Sequence, residues 1–221
     1  ARVGSVSASG GQTVWADIPG DPRNNYIARM DWAYNPDEFV IQRLNRAQNR
    51  NEVMLVNALT GEARTVFRDE DDAWLNVVDD MYWIDEGKRF TWVSERDGWR
   101  HIYLIDRNGS SERLITPWDM DVISVELIDE ENGWFFFVAS PEEPGRRFLY
   151  RSSLDGSGVI KKLTPVSETG WNTYQLSHDG KWAFHTHSKF GSPPFVQLVD
   201  LPQHKSVRIL MENRVLKNRV L

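Results

Sequence analysis

Short apolar runs separated by turn residues follow one another along most of the chain. The runs are about five to eight residues long and rich in β-branched and aromatic side chains, which favours strands over helices. Segments 85–88, 132–133 and 179–180 lie between neighbouring runs and carry the Asp, Asn and Gly residues of hairpin turns. The run 134–138 is apolar at every position, as expected of a strand that is covered on both faces. The pattern predicts an all-β chain built from antiparallel hairpins.

The runs recur with a period of about 47 to 49 residues, which is typical of propeller blades. Each repeat offers four strand candidates, the number found in one blade of a β-propeller. The third candidate of each repeat ends in a turn signal and covers 51–61, 100–109, 147–156 and 194–202. The predicted blades are 26–68, 74–117, 121–165 and 171–210. In the second blade, the first strand is predicted over 74–84.

The two ends of the chain depart from this period. Residues 1–20 offer only two strand candidates and are predicted to be the end of a preceding blade. The propeller part is predicted over 1–213, with about four four-stranded antiparallel blades and part of a fifth. Residues 211–221 carry no turn signal and have a loosely helical spacing of apolar residues, so they are predicted to be a linker that leaves the propeller.

Composition excludes several classes of protein. The formal charge is −6, from 26 basic and 32 acidic residues, and the basic residues are scattered, which argues against a nucleic-acid platform. There is no cysteine, so disulfides, thiolate chemistry and cysteine-based zinc sites are excluded. No apolar stretch approaches the roughly 18 residues of a membrane span, and residues 1–20 do not resemble a signal peptide. The compartment stays open.

Four segments go beyond what a blade needs to form: YIARMDW at 26–32, QRLNRAQNR at 42–50, SERDGWRHIYL at 94–104 and WDMDVI at 118–123. They resemble the propeller of the dipeptidyl peptidase IV branch of the prolyl oligopeptidase family. The resemblance covers essentially the whole chain. Further similar segments, in the same order, are 147–156, 163–165 and 191–194.

The resemblance implies an eight-bladed propeller that caps an α/β-hydrolase domain in a serine exopeptidase. Such enzymes remove dipeptides from peptide N-termini and favour Pro or Ala at the second position. The family's catalytic Ser, Asp and His follow the propeller, and this chain has no Gly-x-Ser-x-Gly motif, so no catalytic residue and no activity of the chain alone are expected. The implied partners are a C-terminal hydrolase domain, which 211–221 would lead to, peptide substrates and a second copy in a homo-oligomer. Neither a cofactor nor a metal is expected, and family members suggest a periplasmic or secreted location.

The family also binds the substrate amino terminus with a pair of glutamates, upstream of the region that this chain matches. Nothing in residues 1–25 corresponds to that pair. The glutamate pairs at 130–131 and 142–143 are interpreted as solvated hairpin loops.

Two groups of residues are candidates for function. The stretch 74–80 corresponds to a family segment that approaches the substrate cavity, and Asn76, Asp79 and Asp80 are its cavity-facing candidates. Either aspartate would disfavour acidic peptide residues. The second group is a structural motif around a turn at Gly98 and comprises Glu95, Arg96, Asp97, Trp99, Arg100 and His101. Its four charged members, Glu95, Arg96, Asp97 and Arg100, are expected to form an ion-pair network between strands or blades, with direct substrate contact as the alternative.

The histidines and the acidic run at 69–72 are given structural roles. His101 is expected to anchor its hairpin through a backbone bond. His185 and His187 share one face of a predicted strand and would suit a metal, but no third ligand lies nearby in the sequence, so hydrogen-bonded blade residues are the preferred interpretation. The acidic run 69–72 is interpreted as an inter-blade loop in water.

Two functions remain open at this point. One is the non-catalytic propeller portion of a dipeptidyl-peptidase-IV-like serine exopeptidase, which gates and shapes the access of peptides to the active site. The alternative is a free-standing β-propeller that serves as a protein-binding scaffold.

Overall fold

The computed structural model describes residues 1–141 and 143–220. Contacts divide the chain into two compact units. The first contains Ala1–Gly98 and Tyr103–Arg113, and the second contains Trp99–Ile102 and the described residues from Leu114 onward.

Residues 1–20 form a two-stranded sheet at the start of the first unit. Strands β1 (Gly4–Ser5) and β2 (Val14–Trp15) pair antiparallel, as the two strand candidates predicted. Val3, Ala16 and Ile18 next to these strands pack against the core of the following sheet. Burial of their apolar surface attaches the segment to that sheet.

The following sheet contains β3 (Asn25–Trp32), β4 (Glu38–Asn45), β5 (Arg50–Asn57) and β6 (Ala63–Glu70), paired antiparallel in that order. Alternate residues of its inner strands, such as Phe39 and Ile41 on β4, point into one core with their counterparts on β5. This alternation is the reason that the sequence folds locally into strands.

The second four-stranded sheet has the order β10-β9-β8-β7. Its strands are β7 (Trp83–Ile84), β8 (Arg89–Ser94), β9 (His101–Asp106) and β10 (Glu112–Leu114). The predicted first strand over 74–84 is wrong in extent, since only its last two residues pair with β8. Residues 74–82 are an irregular segment, because Asn76, Asp79 and Asp80 interrupt the apolar alternation that a strand needs.

The third and fourth sheets lie in the second unit, with strands paired in sequence order. The third contains β11 (Val122–Asp129), β12 (Trp134–Ala139), β13 (Phe148–Ser153) and β14 (Ile160–Lys162). The fourth contains β15 (Trp171–Leu176), β16 (Trp182–Lys189), β17 (Ser192–Asp200) and β18 (Ser206–Met211). Phe136 and Leu149 of the third sheet share a core with Ala183 and Val199 of the fourth, so the two sheets pack face to face. Phe135 to Val138 are all buried, as the run of apolar residues predicted.

The C-terminal residues form helix α1, Arg214–Val220, where a linker over 211–221 is predicted. Leu221, the last residue of that predicted linker, lies outside the described residues. Within the part of the chain that the structure describes, no helix is long and apolar enough to cross a membrane.

Each of the four predicted repeats forms a four-stranded sheet.

Candidate functional site

A cleft of the first unit lies between β3, β4 and the irregular segment that precedes β7. Its polar lining comes from Arg29, Asp31, Gln42 and Asp79, and its apolar lining includes Met81. The other lining residues of the cleft are Met30, Val40, Val78 and Trp83. The cleft thus combines an apolar wall with charged groups of both signs, which suits a polar ligand that carries an apolar side chain.

Gln42 holds the irregular segment against β4. Its side-chain amide donates to the Val78 carbonyl (2.6 Å) and accepts from the Val78 amide (3.2 Å), which is the bonding pattern of a neighbouring strand. Asn51 donates to the same Gln42 oxygen (3.1 Å), and both amide side chains are buried. Because buried amides need partners, this arrangement fixes the position of the segment.

Asp79 pairs with Arg29 across the cleft, with 2.5 Å between the Arg29 Nε and the carboxylate. The hydrogen bond from Arg29 lowers the pKa of Asp79, so the carboxylate is ionised at neutral pH. Both side chains are exposed, so solvent screens the pair. Of the other two candidates, Asn76 is exposed and Asp80 is half-buried, and neither lines the cleft.

Arg96 and Asp97 of the Gly98 turn lie in a network of the first unit. Arg96 pairs with Glu112 (2.9 Å) and lies 3.6 Å from a carboxylate oxygen of Asp69 on β6. Its guanidinium also covers the rings of Phe67 and Tyr103, each 4.7 Å from the ring centroid. This is the geometry of a network between two sheets.

Asp97 accepts a hydrogen bond from the Tyr103 hydroxyl (2.8 Å). Glu95 is exposed at the turn. Arg96, the residue between them, reaches Asp69 and Phe67 of the first four-stranded sheet.

The interpretation of 69–72 as a solvated loop is wrong for Asp69. Asp69 and Glu70 belong to β6, and Asp69 is 3% exposed. Its carboxylate accepts hydrogen bonds from the Trp92 indole (2.8 Å) and the Ser94 hydroxyl (2.9 Å) on β8. A buried carboxylate needs such donors, and they join the first and second four-stranded sheets.

Arg100 and His101 lie in the second unit and make backbone contacts there. Nε2 of His101 is 2.6 Å from the Trp118 carbonyl, which is the kind of backbone bond that the sequence suggested. The Arg100 amide donates to Asp121 (2.8 Å), and its guanidinium donates to the Val122 carbonyl. Trp99 is partly exposed beside them.

The glutamate pairs are surface groups as far as the structure describes them. Glu130 and Glu131 are exposed at their hairpin. Glu143 pairs with Arg146 (3.0 Å), and Glu142 lies outside the described residues.

One buried polar cluster of the second unit is not predicted by the sequence pattern. Glu168 precedes β15, His185 lies on β16 and His204 lies in the turn between β17 and β18, and their ligand atoms lie within 4.8 Å of one another. Pairing of the strands brings these residues together from distant parts of the sequence. The only early signal was His185, which shared a predicted strand face with His187.

Comparisons with known proteins place these features in a family. The sequence profile of the family described as Dipeptidyl peptidase IV (DPP IV) N-terminal region matches residues 1–194. A probable dipeptidyl peptidase 4 of Emericella nidulans is 22% identical over 208 residues, which cover 89% of this chain and 26% of that protein. The dipeptidyl peptidase 4 of Trichophyton equinum is 26% identical over 165 residues, 72% of this chain and 21% of that protein.

Solved structures agree with this result. The crystal structure of Porphyromonas gingivalis dipeptidyl peptidase 4 has a TM-score of 0.81 and 26% identity, covering 95% of this chain and 29% of that one. The chain spans about a quarter of the length of the curated relatives that it matches.

The repeated four-stranded sheets and this structural likeness define a β-propeller fragment, and the predicted fold class is confirmed. The chain belongs to the dipeptidyl peptidase IV N-terminal region family.

Proposed function

We propose that this chain is the non-catalytic propeller portion of a dipeptidyl-peptidase-IV-like serine exopeptidase, in which it gates and shapes the access of peptides to the active site. The family match over residues 1–194 carries the proposal. Catalysis in such an enzyme needs a nucleophile, a base and an oxyanion hole, which a C-terminal α/β-hydrolase domain would supply. The sequence given contains no serine in a Gly-x-Ser-x-Gly motif, which supports this division of labour.

The cleft beside Arg29 and Asp79 is the part of the chain that we assign to peptide selection. The family resemblance implies that segment 74–80 is the stretch that approaches the substrate cavity. Gln42 fixes the backbone of this segment at Val78. Asp79 and Asp31 outnumber Arg29 among the charged lining residues, so the cleft repels acidic peptide side chains and attracts basic ones.

Peptide selectivity in the intact protein tests this assignment. We expect Asp79→Asn to raise the ratio of kcat/KM for Ala-Pro-Asp peptides to that for Ala-Pro-Lys peptides by about twofold to fivefold, the effect of one screened surface charge. Arg29→Gln removes the opposite charge of the same pair and is expected to lower this ratio.

Asp37→Asn provides the matched control, because Asp37 is exposed in the turn between β3 and β4 and does not line the cleft. If all three variants keep the wild-type ratio, the cleft does not select peptides. If the intact protein releases no dipeptide at all, the proposed enzyme itself is wrong, and the free-standing scaffold becomes the better interpretation.

A further inference from the structure

The second unit contains a compact group of metal-ligating side chains that the proposed function does not use. Glu168, His185 and His204 place their ligand atoms within 4.8 Å of one another. Both histidine side chains are 0% exposed, and the Glu168 side chain is 21% exposed. The group is thus buried, with the glutamate on the side toward solvent.

We propose that Glu168, His185 and His204 bind one divalent transition-metal ion of the zinc class, with a water molecule in the fourth position. Two imidazoles and one carboxylate are a donor set that Zn²⁺ commonly takes in proteins. The ion would link three parts of the chain: the segment that precedes β15, strand β16 and the turn that follows β17. This link would stabilise the fourth sheet.

The two distances to the carboxylate suit such an ion, and the ligand atoms of the two histidines lie within 4.8 Å of each other. Nδ1 of His185 lies 3.4 Å and Nδ1 of His204 lies 3.9 Å from the same carboxylate oxygen, Oε2 of Glu168. Tetrahedral zinc with bonds of about 2.0 to 2.1 Å separates its ligand atoms by about 3.4 Å. The first pair already has that spacing, and the second reaches it by a shift of about half an ångström.

Two of these atoms have no hydrogen-bond partner. Oε2 of Glu168 and Nδ1 of His204 are buried and unpartnered, although the rest of both side chains is held in place. A buried polar atom without a partner costs free energy, so its presence in a folded protein calls for a ligand. This observation is independent of the spacing, and both atoms point to the same place.

The protonation of His185 leaves a lone pair available. Asn172 uses its amide nitrogen for the Arg147 and Glu168 carbonyls, so its oxygen accepts from Nε2 of His185 (2.7 Å). Nδ1 of the same ring accepts from the Gln197 amide (3.1 Å), so it carries the lone pair. The Asn172 contact is the outer support that metal-bound histidines usually have.

Gln197 and Tyr174 form hydrogen bonds with the two histidines, and these bonds affect how an ion can bind. The Gln197 amide donates to Nδ1 of His185 (3.1 Å), so the ion must replace this hydrogen bond. Nε2 of His204 lies 2.9 Å from the Tyr174 hydroxyl, which lies 2.7 Å from the Thr164 hydroxyl. When Nδ1 binds the ion, Nε2–H donates to Tyr174, and Tyr174 donates to Thr164.

Metal titration of the intact protein tests the proposal. The protein is prepared without a polyhistidine tag, stripped with a chelator and titrated with Zn²⁺ or with Co²⁺, whose visible bands report tetrahedral nitrogen and oxygen ligands. We expect Glu168→Gln and His204→Asn each to weaken binding at this site by at least about tenfold, because even outer-shell changes cost that much. His178→Asn changes an exposed histidine outside the group and is expected to bind like the wild type.

Thermal unfolding gives a second readout that does not depend on peptidase activity. An ion that binds only the folded state raises the unfolding temperature of the wild type and of His178→Asn, and raises that of Glu168→Gln less at the same metal concentration. Glu168 is partly exposed and the change keeps its shape, so this variant is expected to fold, which near-ultraviolet circular dichroism checks. The proposal is overturned if the wild type binds neither ion, or if Glu168→Gln and His204→Asn keep its affinity and its stabilisation.

Discussion

Replacement of Asp69 by alanine tests how strongly one buried carboxylate joins the first two four-stranded sheets. Asp69 accepts from the Trp92 indole and the Ser94 hydroxyl, and both donors are buried. Alanine leaves these two donors unpaired, and each unpaired buried group costs about 1–3 kcal/mol. Arg96 adds less, because its side chain is 24% exposed and can be solvated. We expect the free energy of unfolding to fall by about 3–5 kcal/mol.

Urea denaturation followed by tryptophan fluorescence measures this loss. Asp69→Asn keeps one acceptor oxygen and is expected to lose about 1–2 kcal/mol. Asp72→Asn is the matched control, because Asp72 is exposed in the same acidic run, and it is expected to stay within about 0.5 kcal/mol of the wild type.

A double-mutant cycle with Ser94→Ala separates the contact from a general effect of the substitution. If Asp69 and Ser94 interact as the 2.9 Å contact indicates, their coupling energy is about 1 kcal/mol. Strict additivity of the two changes, or an Asp69→Ala protein as stable as the wild type, would refute the reasoning.

Three further predictions concern a glycine turn at Gly109, the activity of the isolated chain and the exposed apolar residues of β18. Gly109→Ala is expected to cost at least about 3 kcal/mol in chemical denaturation, because φ is +74° and a Cβ would lie 1.9 Å from the Val66 carbonyl oxygen. Gly133→Ala, with φ +73° and open space around it, is the control and is expected to cost about 1 kcal/mol; equal losses would contradict the steric argument. The purified 221-residue chain is expected to release no p-nitroaniline from Gly-Pro or Ala-Pro substrates, and turnover from a contaminant-free preparation would disprove this. The same chain is expected to self-associate through the exposed apolar residues of β18, and a monodisperse monomer in light scattering at high concentration would exclude this.

Local pattern was enough to locate most of the strands. The segments RFTWVS at 89–94 and WFFFVA at 134–139 coincide with β8 and β12, because each is short, rich in aromatic residues and bounded by a turn. The segment before β7 was misjudged, since Trp74, Leu75 and Val77 look like a strand while the Gln42 side chain supplies the partner that a strand would have had.

The polar sites were harder to predict, because strand pairing and the packing of sheets create them. Asp69 looks solvated in a run of four acidic residues, and only the Trp92 and Ser94 donors on the next sheet explain its burial. Likewise, the fold brings Glu168 and His204 next to His185 from separate parts of the sequence. Periodicity reports which face of a strand is apolar, but it does not report what lies opposite a polar residue.

The bond pattern at Gln42 has a consequence for how this family can diversify. Gln42 bonds to main-chain atoms of Val78, so these two hydrogen bonds do not depend on which side chains stand at 76, 79 and 80. Natural variation can therefore exchange those side chains without disturbing the anchorage. The underlying sheet would keep its form through such exchanges.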